Sequence, residues 1–325
     1  MSSVSFVRAM GPAATFLVAV AWAQATPVNL SEAGSFNLLT WGNASLLNSD
    51  AEGTVAIGGN ATFNQYSVGT KANQALPTDA SLVVGGNLTA GNGQVYNGSI
   101  YVGGTYSGPG YSLNSAAGSV TQAGLGLGVP FDFAGARTAL TAKSESYGAE
   151  ASTGTSLLQW STLTLTGSNT DLNVFNISAA DLAAASTLTI DVAANSHVLI
   201  NISGSSATFS NKGIDGTFAA TNTLFNFYQA TSLNMSGIGV EGSILAPHAD
   251  VSFLSGQMNG QLIANSFSGA SWGVGELHNY PFNNQPPTSS VPDAGSSLTL
   301  VLTALGMIAL FARRGAGRKA GTLTC

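Results

Sequence analysis

The chain has 325 residues, of which 44% are hydrophobic and only 7% are charged, and its formal net charge is −6 at pH 7. Disordered chains combine few hydrophobic residues with high charge, so this composition excludes disorder and favours a packed body with a nearly neutral surface. Between residues 26 and 290 there are four basic residues against fourteen acidic ones. A nucleic-acid-binding protein needs a patch of Lys and Arg, so the charge also excludes that class of function.

The first 25 residues are typical of a secretory signal peptide. Arg8 precedes the apolar run GPAATFLVAVAW, and Ala23 and Ala25 form a small-x-small cleavage site. A short membrane anchor is the alternative, but the apolar run is too brief to span a bilayer. The sequence therefore predicts an exported protein whose mature body begins at residue 26.

A repeated Gly-Gly template follows. VAIGGNAT (55–62), LVVGGNLT (82–89) and IYVGGTYS (100–107) share it, and a second template recurs at 52–58, 97–103, 241–247 and 259–265. Repetition at a step of about 20 residues is typical of stacked units that cannot bury their faces alone.

These repeats predict an all-β fold with a β-solenoid or β-helix-like body over residues 26–282. In such a body Val, Ile and Leu point inward, corner Asn and Thr can stack on their equivalents in the next rung, and the Gly pairs can take positive φ. A β-sandwich with hairpins of similar sequence is the alternative, because short strands with Gly-rich turns suit both classes.

Residues 130–151 have a different pattern, with apolar positions at Phe133, Ala136 and Leu140, and predict one amphipathic α-helix packed on the sheet. The next four segments alternate apolar and polar residues and predict half-buried strands, at 161–167, 171–178, 186–192 and 197–204. The TLTLT run at 162–166 is a candidate for a flat threonine array, as in ice-binding solenoids, although Thr-x-Thr does not recur at every rung.

Candidate catalytic residues are few. His197, His248 and His278 lie far apart in no metal-ligand spacing, and Glu276 and His278 are placed to share one face of a strand. The one cysteine, Cys325, is the last residue. We therefore predict a protein that is not an enzyme, with no catalytic residues, cofactor or metal. An enzyme acting on extracellular polysaccharide stays open, and would need carboxylates converging in one cleft.

Several stretches together resemble the choice-of-anchor A domain, an adhesive or surface-structural domain of bacterial surface proteins. They cover nearly the whole exported body, at 35–69, 172–182, 198–204, 224–231, 242–269 and 275–282. His248 departs from the pattern, which would place Asn there. The family has no established catalytic residues, so the resemblance implies adhesion or a structural role at the cell surface, with an extracellular polysaccharide or another surface ligand as partner.

The C-terminal end resembles the VPDSG variant of the PEP-CTERM sorting signals. Val291, Pro292, Asp293 and Gly295 match the motif, with Ala294 in place of Ser. Residues 283–290 form a linker before this motif, and residues 298–312 are apolar. The resemblance implies processing by an exosortase-type membrane transpeptidase and display on the cell surface or in extracellular matrix.

The apolar segment at 298–312 is predicted to be a transmembrane helix, although its fifteen residues are fewer than the ~20 of a comfortable span. Arg313 and Arg314 act as the membrane stop, so the precursor would sit in the inner membrane with a cytoplasmic C-terminus. A plain membrane anchor is the alternative reading of residues 291–325.

Overall fold

Short parallel strands stack into long sheets that enclose a hydrophobic core. The structure is a computed structural model, and it describes residues 27–34, 36–71, 80–108, 111–113, 119–122 and 128–284. The signal peptide, the linker beyond residue 284, the sorting motif, the transmembrane segment and Cys325 lie outside the described residues.

The N-terminal block begins with a 3-10 turn at Ser31–Ala33. Its strands, in chain order, are β1 (Phe36–Thr40), β2 (Ala44–Ala51), β3 (Thr54–Ile57), β4 (Ala61–Val68), β5 (Ala80–Val84), β6 (Leu88–Ala90), β7 (Gly93–Val95), β8 (Ser99–Val102), β9 (Tyr106–Ser107), β10 (Ser112–Leu113) and β11 (Val120–Gln122).

The C-terminal block follows helix α1 (Phe133–Gly148). It contains a short helix, α2 (Ala179–Ala184), and a 3-10 turn at Ala220–Asn222. Its strands are β12 (Thr155–Gln159), β13 (Thr162–Thr166), β14 (Leu172–Ser178), β15 (Thr187–Asp191), β16 (His197–Ser203), β17 (Ser206–Ser210), β18 (Gly213–Thr217), β19 (Thr223–Asn226), β20 (Ser232–Ser236), β21 (Ile238–Glu241), β22 (Ser243–Phe253), β23 (Gly256–Asn259), β24 (Leu262–Ser268) and β25 (Glu276–His278).

Three sheets form the walls of the solenoid-like body. Sheet 1 runs β14-β16-β19-β22-β24-β1-β3-β5-β8-β11. Sheet 2 runs β17-β20-β22-β24-β2-β4-β6-β9. Sheet 3 runs β21-β23-β25-β2-β4-β7-β10, and a separate four-stranded sheet, β12-β13-β15-β18, lies beside β21. Strands β2, β4, β22 and β24 bend at corners and contribute to two sheets each.

The order of the stack differs from the order of the chain. Strand β1 lies between β3, the next strand of sheet 1 along the chain, and β24, which is more than 200 residues away. The C-terminal block therefore stacks on the start of the N-terminal block, and the chain begins its first rung in the middle of the body. The repeats themselves align as the sequence predicts, since Val55, Leu82 and Ile100 are register partners.

A ladder of asparagines holds the corner between sheets 1 and 2. The Oδ1 atom of Asn43 accepts from the backbone N–H of Asn60 at 2.8 Å, and Asn60 does the same for Asn87 at 2.8 Å. Asn87 accepts from the N–H of Thr105 at 2.9 Å and so continues the ladder. The predicted stacking of corner Asn and Thr residues is confirmed.

The glycines beside this ladder serve close approach rather than an unusual backbone angle. The Gly pairs do not use the positive φ that glycine allows, since Gly58, Gly59, Gly85 and Gly86 all have φ outside that region. A Cβ atom on Gly86 would lie 2.6 Å from the Asn60 Oδ1 and 2.7 Å from the Gly59 carbonyl oxygen. Successive corners therefore pack so tightly that any side chain would collide with the rung below.

Helix α1 lies on the outer side of sheet 1, where Ala136, Leu140 and Tyr147 are buried. This covering corrects one prediction, because segments 171–178 and 197–204 are buried on both faces rather than half-buried. The helix at 130–151 is confirmed with somewhat narrower bounds. The sequence analysis missed α2, although Ser178 and Asp181 form a recognisable N-terminal capping pair, with the Asp181 N–H donating to the Ser178 Oγ at 3.0 Å.

A second asparagine ladder receives the C-terminal end of α1. Asn226, Asn201 and Asn176 occupy register-matched positions on β19, β16 and β14. Their side-chain amides donate to the carbonyl oxygens of Ser144, Tyr147 and Glu150, respectively, at 2.6–2.9 Å. These three hydrogen bonds anchor the C-terminal end of α1, and the chain just after it, to sheet 1.

The seam between β25 and β2 places two carboxylates side by side. Leu277 and Ala51 are register partners, so the preceding residues, Glu276 and Asp50, are neighbours on the outer side of sheet 3. Burial, followed by the negative charges of Glu276 and Glu52, raises the pKa of Asp50 above its ordinary value. His278, whose Nε2 is 3.3 Å from Glu276 Oε1, and Lys71, whose Nζ is 2.7 Å from Glu52 Oε1, also belong to this cluster.

Replacing Gly86 with Ala tests the corner packing. We expect Gly86→Ala to lower the free energy of unfolding by about 2 kcal/mol, because the added methyl group overpacks the corner. Gly213→Ala is the matched control, since a Cβ there meets nothing within 4 Å, and we expect it to change stability by less than about 0.5 kcal/mol. Urea unfolding of both variants measures the difference, and equal stabilities would contradict the close-approach explanation.

The seam makes stability depend on pH in a defined direction. Since the folded pKa of Asp50 is raised, its carboxyl contributes stability below the unfolded pKa, and this contribution is lost as the pH rises through the folded pKa. We expect Asp50→Asn to stabilise the protein by about 0.5 kcal/mol at pH 7, because a like-charge pair is removed. The gain should fade as the pH falls through the raised folded pKa of Asp50, because the folded carboxyl is then neutral, as the amide is.

Urea unfolding at pH 7 and at about pH 3, where an Asp carboxyl is protonated, measures this effect. Asp215→Asn, a change at an exposed position of the four-stranded sheet, supplies the background effect of losing one negative charge. A gain from Asp50→Asn that is equal at both pH values would show that the carboxylate pair does not cause it.

Candidate binding face

Sheet 2 presents a long column of short polar side chains to the solvent. Its strands alternate, so that residues such as Phe209, Leu233 and Val251 enter the core while their neighbours point outward. One outward position from each of the eight strands falls in register. The column is Thr208, Asn234, Ser252, Ser268, Ser45, Thr62, Thr89 and Ser107.

The column is regular because the backbone hydrogen bonds between neighbouring strands fix its spacing. Neighbouring strands lie about 4.8 Å apart, so eight positions span roughly 34 Å. Every member is Ser, Thr or Asn, and each is exposed or half-buried. The result is a straight, uncharged row of hydrogen-bonding groups, which can contact a repeating ligand at many points.

A groove of about 520 Å³ runs beside this column at the corner with sheet 1. It is lined by the ladder residues Asn43 and Asn60 and, across from them, by Asp250, Asn265 and Ser266. The Ser266 hydroxyl and the Asn265 amide donate to Asp250 Oδ1 at 2.6 and 2.8 Å. These two hydrogen bonds hold the pKa of Asp250 below its ordinary value, so the groove carries one ionised carboxylate at neutral pH. Asp250 is the one charged residue among those that line it.

The three histidines do not come together. His197 Nε2 contacts the Asn283 carbonyl oxygen at 2.8 Å, and His278 Nδ1 contacts Asn259 Oδ1 at 2.6 Å. His248 is exposed, and its Nε2 lies 3.8 Å from the Oε1 of Glu145 on α1. Glu276 and His278 do share the outer face of β25, as the sequence predicts, but they lie on sheet 3 and not in the groove.

In the described residues, carboxylates come together on sheet 3, where Asp50 lies close to Glu276 and Glu52, whereas Asp250 lies in the groove of sheet 2. Within the described ranges, no group of three or more His, Cys, Asp or Glu side chains is arranged to hold a metal ion. The cleavage residues Ala23 and Ala25, the sorting residues Val291, Pro292, Asp293 and Gly295, and the membrane-stop residues Arg313 and Arg314 lie outside the described part of the chain.

The sequence analysis missed the column of sheet 2. Its members come from eight strands spread between residues 45 and 268, and each strand contributes a single Ser, Thr or Asn. Only the register of the stack brings them into line. The available signal was a central polar residue between two apolar ones, as in ATF at 61–63, LTA at 88–90 and ATF at 207–209.

The TLTLT run forms β13, and its neighbour β15 does repeat the pattern. Thr162 and Thr164 are register partners of Thr187 and Thr189, so Thr-x-Thr recurs on two adjacent strands of the four-stranded sheet. The third strand, β18, interrupts it with Gly213 and Asp215. The expectation that the array does not extend over every rung is therefore confirmed, although the array is wider than one strand.

No helix in the described part of the chain is both long enough and apolar enough to cross a membrane.

Comparison with known proteins identifies the family of the body. No curated protein matches the chain. A family model described as "Putative Ice-binding-like adhesive domain" matches residues 29–279, which include both strand blocks and helix α1. The chain therefore belongs to the ice-binding-like adhesive domain family.

Proposed function

We propose that this protein is an exported, non-enzymatic adhesive protein of the bacterial surface, and that sheet 2 contacts its ligand. The observation that carries the proposal is the eight-residue column of Ser, Thr and Asn side chains on that sheet. Membership of an adhesive domain family supports a role at the surface.

The chemistry of the column favours a neutral, hydroxyl-rich ligand such as an extracellular polysaccharide. Hydroxyl and amide groups both donate and accept hydrogen bonds, as sugar hydroxyls do. Each such contact is weak when it replaces water, but many contacts on one rigid surface add up through their high effective concentration. With Asp250 as the one charge of the adjoining groove, nothing on this surface attracts a polyanion.

The finer assignment to the choice-of-anchor A domains, and the route to the surface, rest on the sequence. Ala23 and Ala25 support removal of a signal peptide, and Val291, Pro292, Asp293 and Gly295 support C-terminal sorting by an exosortase-type transpeptidase. In this proposal the precursor spans the inner membrane through residues 298–312, with Arg313 and Arg314 on the cytoplasmic side.

Ice is a second candidate ligand, favoured by the same column. A regular row of short hydroxyl and amide side chains can also bind ordered water, and the family description names a likeness to ice-binding domains. Thermal hysteresis distinguishes the two ligands, because an ice-binding face produces it and a polysaccharide-binding face does not. An ice-binding role for sheet 2 would further require that hysteresis disappear when the column is interrupted.

Interrupting the column at Thr62, an interior position, tests the binding face. We expect Thr62→Arg to weaken adhesion at least about tenfold, because a long charged side chain holds the ligand away from neighbouring strands. Ser112→Arg introduces the same side chain on an exposed position of sheet 3 and should bind as the unaltered protein does. A glycan and matrix-protein array measures binding.

Two array results would count against the proposal. If Thr62→Arg binds like the unaltered protein, sheet 2 is not the binding face. If the unaltered protein binds nothing on the array, a purely structural coat role replaces adhesion. Urea unfolding should show both variants within about 0.5 kcal/mol of the unaltered protein.

Sorting is tested separately at the motif. We expect Pro292→Ala combined with Asp293→Ala to leave uncleaved precursor in the inner membrane, because the transpeptidase no longer reads the motif. Ala294→Ser is the matched control and should be processed normally, since it restores the residue of the VPDSG pattern. Immunoblots of membrane and surface fractions give the result, and normal processing of the double variant would refute the sorting assignment.

A further inference from the structure

A strained turn presents a tryptophan at the end of the body. Strands β12 and β13 form an antiparallel hairpin whose two turn residues are Trp160 and Ser161. Both have positive φ, 51° and 61°. Turns of this type favour Asn-Gly or Gly-Gly, because a Cβ atom is disfavoured in the left-handed region.

Nothing in the packing of Trp160 offsets this strain. Its side chain is 90% exposed, the most exposed of the large apolar residues in the described ranges. A strained residue that is neither buried nor small points to a function, because strain at non-Gly positions persists where the side chain itself is needed. The residue just before β15 holds the turn backbone in place, since the Ser161 carbonyl oxygen accepts from the Ser186 N–H at 2.7 Å.

Trp160 borders a sheet surface rich in hydroxyl groups, which we call the threonine face. Its outward residues are Thr155, Leu157 and Gln159 on β12, Thr162, Thr164 and Thr166 on β13, and Thr187 and Thr189 on β15. Their alternates Leu163, Leu165, Leu188 and Ile190 are buried, which fixes the outward direction. Gln159, Thr162 and Thr187 lie in one row directly beside the turn, and Leu157, which is 60% exposed, adds apolar surface.

The charges around this face exclude an anionic partner. Lys212, the residue before β18, is turned inward, where its Nζ donates to the carbonyl oxygens of Leu182 and Ala185, both at 2.7 Å. The carboxylates of Asp191 and Asp215 lie on the outer side of β15 and β18. A surface with exposed carboxylates and no exposed base among its residues repels anionic lipid and acidic polysaccharide.

We infer that Trp160 and the threonine face form a second binding site, for a neutral sugar ring. The apolar C–H side of a sugar stacks on an aromatic ring, and its hydroxyl edge bonds to Thr, Gln and Asp side chains, which is the combination found here. This site is separate from sheet 2, and it deepens the proposed adhesive function by giving the protein a second contact to the same class of ligand.

The test uses the full chain with three variants. Trp160→Asn combined with Ser161→Gly removes the ring and installs the favoured turn. Ser161→Gly alone relieves strain but keeps the ring, and Trp272→Ala removes the other highly exposed tryptophan, which is 69% exposed on a different loop. The probes are dextran, a soluble β-glucan and galactomannan in affinity gel electrophoresis, with alginate as the acidic comparison.

We expect the unaltered protein to be retarded by at least one neutral probe and not by alginate. The double variant should bind that probe at least about tenfold more weakly while its melting temperature stays equal or rises by about 2–4 °C. Ser161→Gly and Trp272→Ala should bind like the unaltered protein.

Four results would overturn the inference. They are unchanged binding by the double variant, a melting temperature that falls in that variant, no retardation by any neutral probe, and a Trp160-dependent shift that sedimentation shows to be self-association. Failure here is distinguishable from failure of the proposed function, because Thr62→Arg reports on sheet 2 alone. Loss of array binding in Thr62→Arg with unchanged binding by the double variant would reject only the second site.

Discussion

The distance between successive backbones at the corners governs this structure. At the corner of sheets 1 and 2 the chain turns so close to the rung below that a Cβ on Gly104 would lie 2.3 Å from Asn87 Oδ1. The glycines make that approach possible, and the asparagine oxygens accept the N–H groups that the turn leaves unpaired. Strand register follows from this arrangement, and the straight columns of side chains on the sheets follow from the register.

The covering of sheet 1 determines which surfaces are left for ligands. Helix α1 and the segment before β1 bury the outer side of that sheet, with Leu39, Ile263 and Val83 beneath them. The buried aliphatic residues form one register row on the outer side of sheet 1, which reaches Leu245 on β22. On the next three strands the row continues with Asn226, Asn201 and Asn176, at the place where the helix ends. Sheets 2 and 3 have no comparable cover in the described structure, so their outward residues can be polar and regular without weakening the core.

The sequence was most informative where the signal was local. The Gly-Gly template predicted the register of Val55, Leu82 and Ile100, and the corner asparagines predicted the ladder, because both repeat within one or two rungs. The pairing of β1 with β24 could not be read in the same way, because strand edges offer the same backbone hydrogen bonds to any partner. The sheet 2 column depends on that pairing, so it was equally hidden.

Other features were hidden for different reasons. Trp160 and Ser161 are not the Asn-Gly or Gly-Gly pair that favours two positive φ angles, so nothing in the sequence indicated a two-residue turn of this type. Helix α2 is only six residues long and lies between two strands, where the apolar pattern of β14 masked its capping pair. The sequence suggested that the Gly-Gly pairs allow a positive φ. These positions need glycine for another reason, because a side chain there would collide with the neighbouring rung.

The central position of β1 has a consequence for how the chain reaches its native state. The N-terminal block leaves the ribosome first, yet one edge of β1 has no partner until β24 has been made, more than 200 residues later. Pairings of such long sequence separation slow folding and leave an unpaired strand edge exposed in the meantime. The C-terminal block therefore completes the assembly by sealing an edge that would otherwise be open to other chains, so truncation before β24 leaves the edge of β1 unprotected.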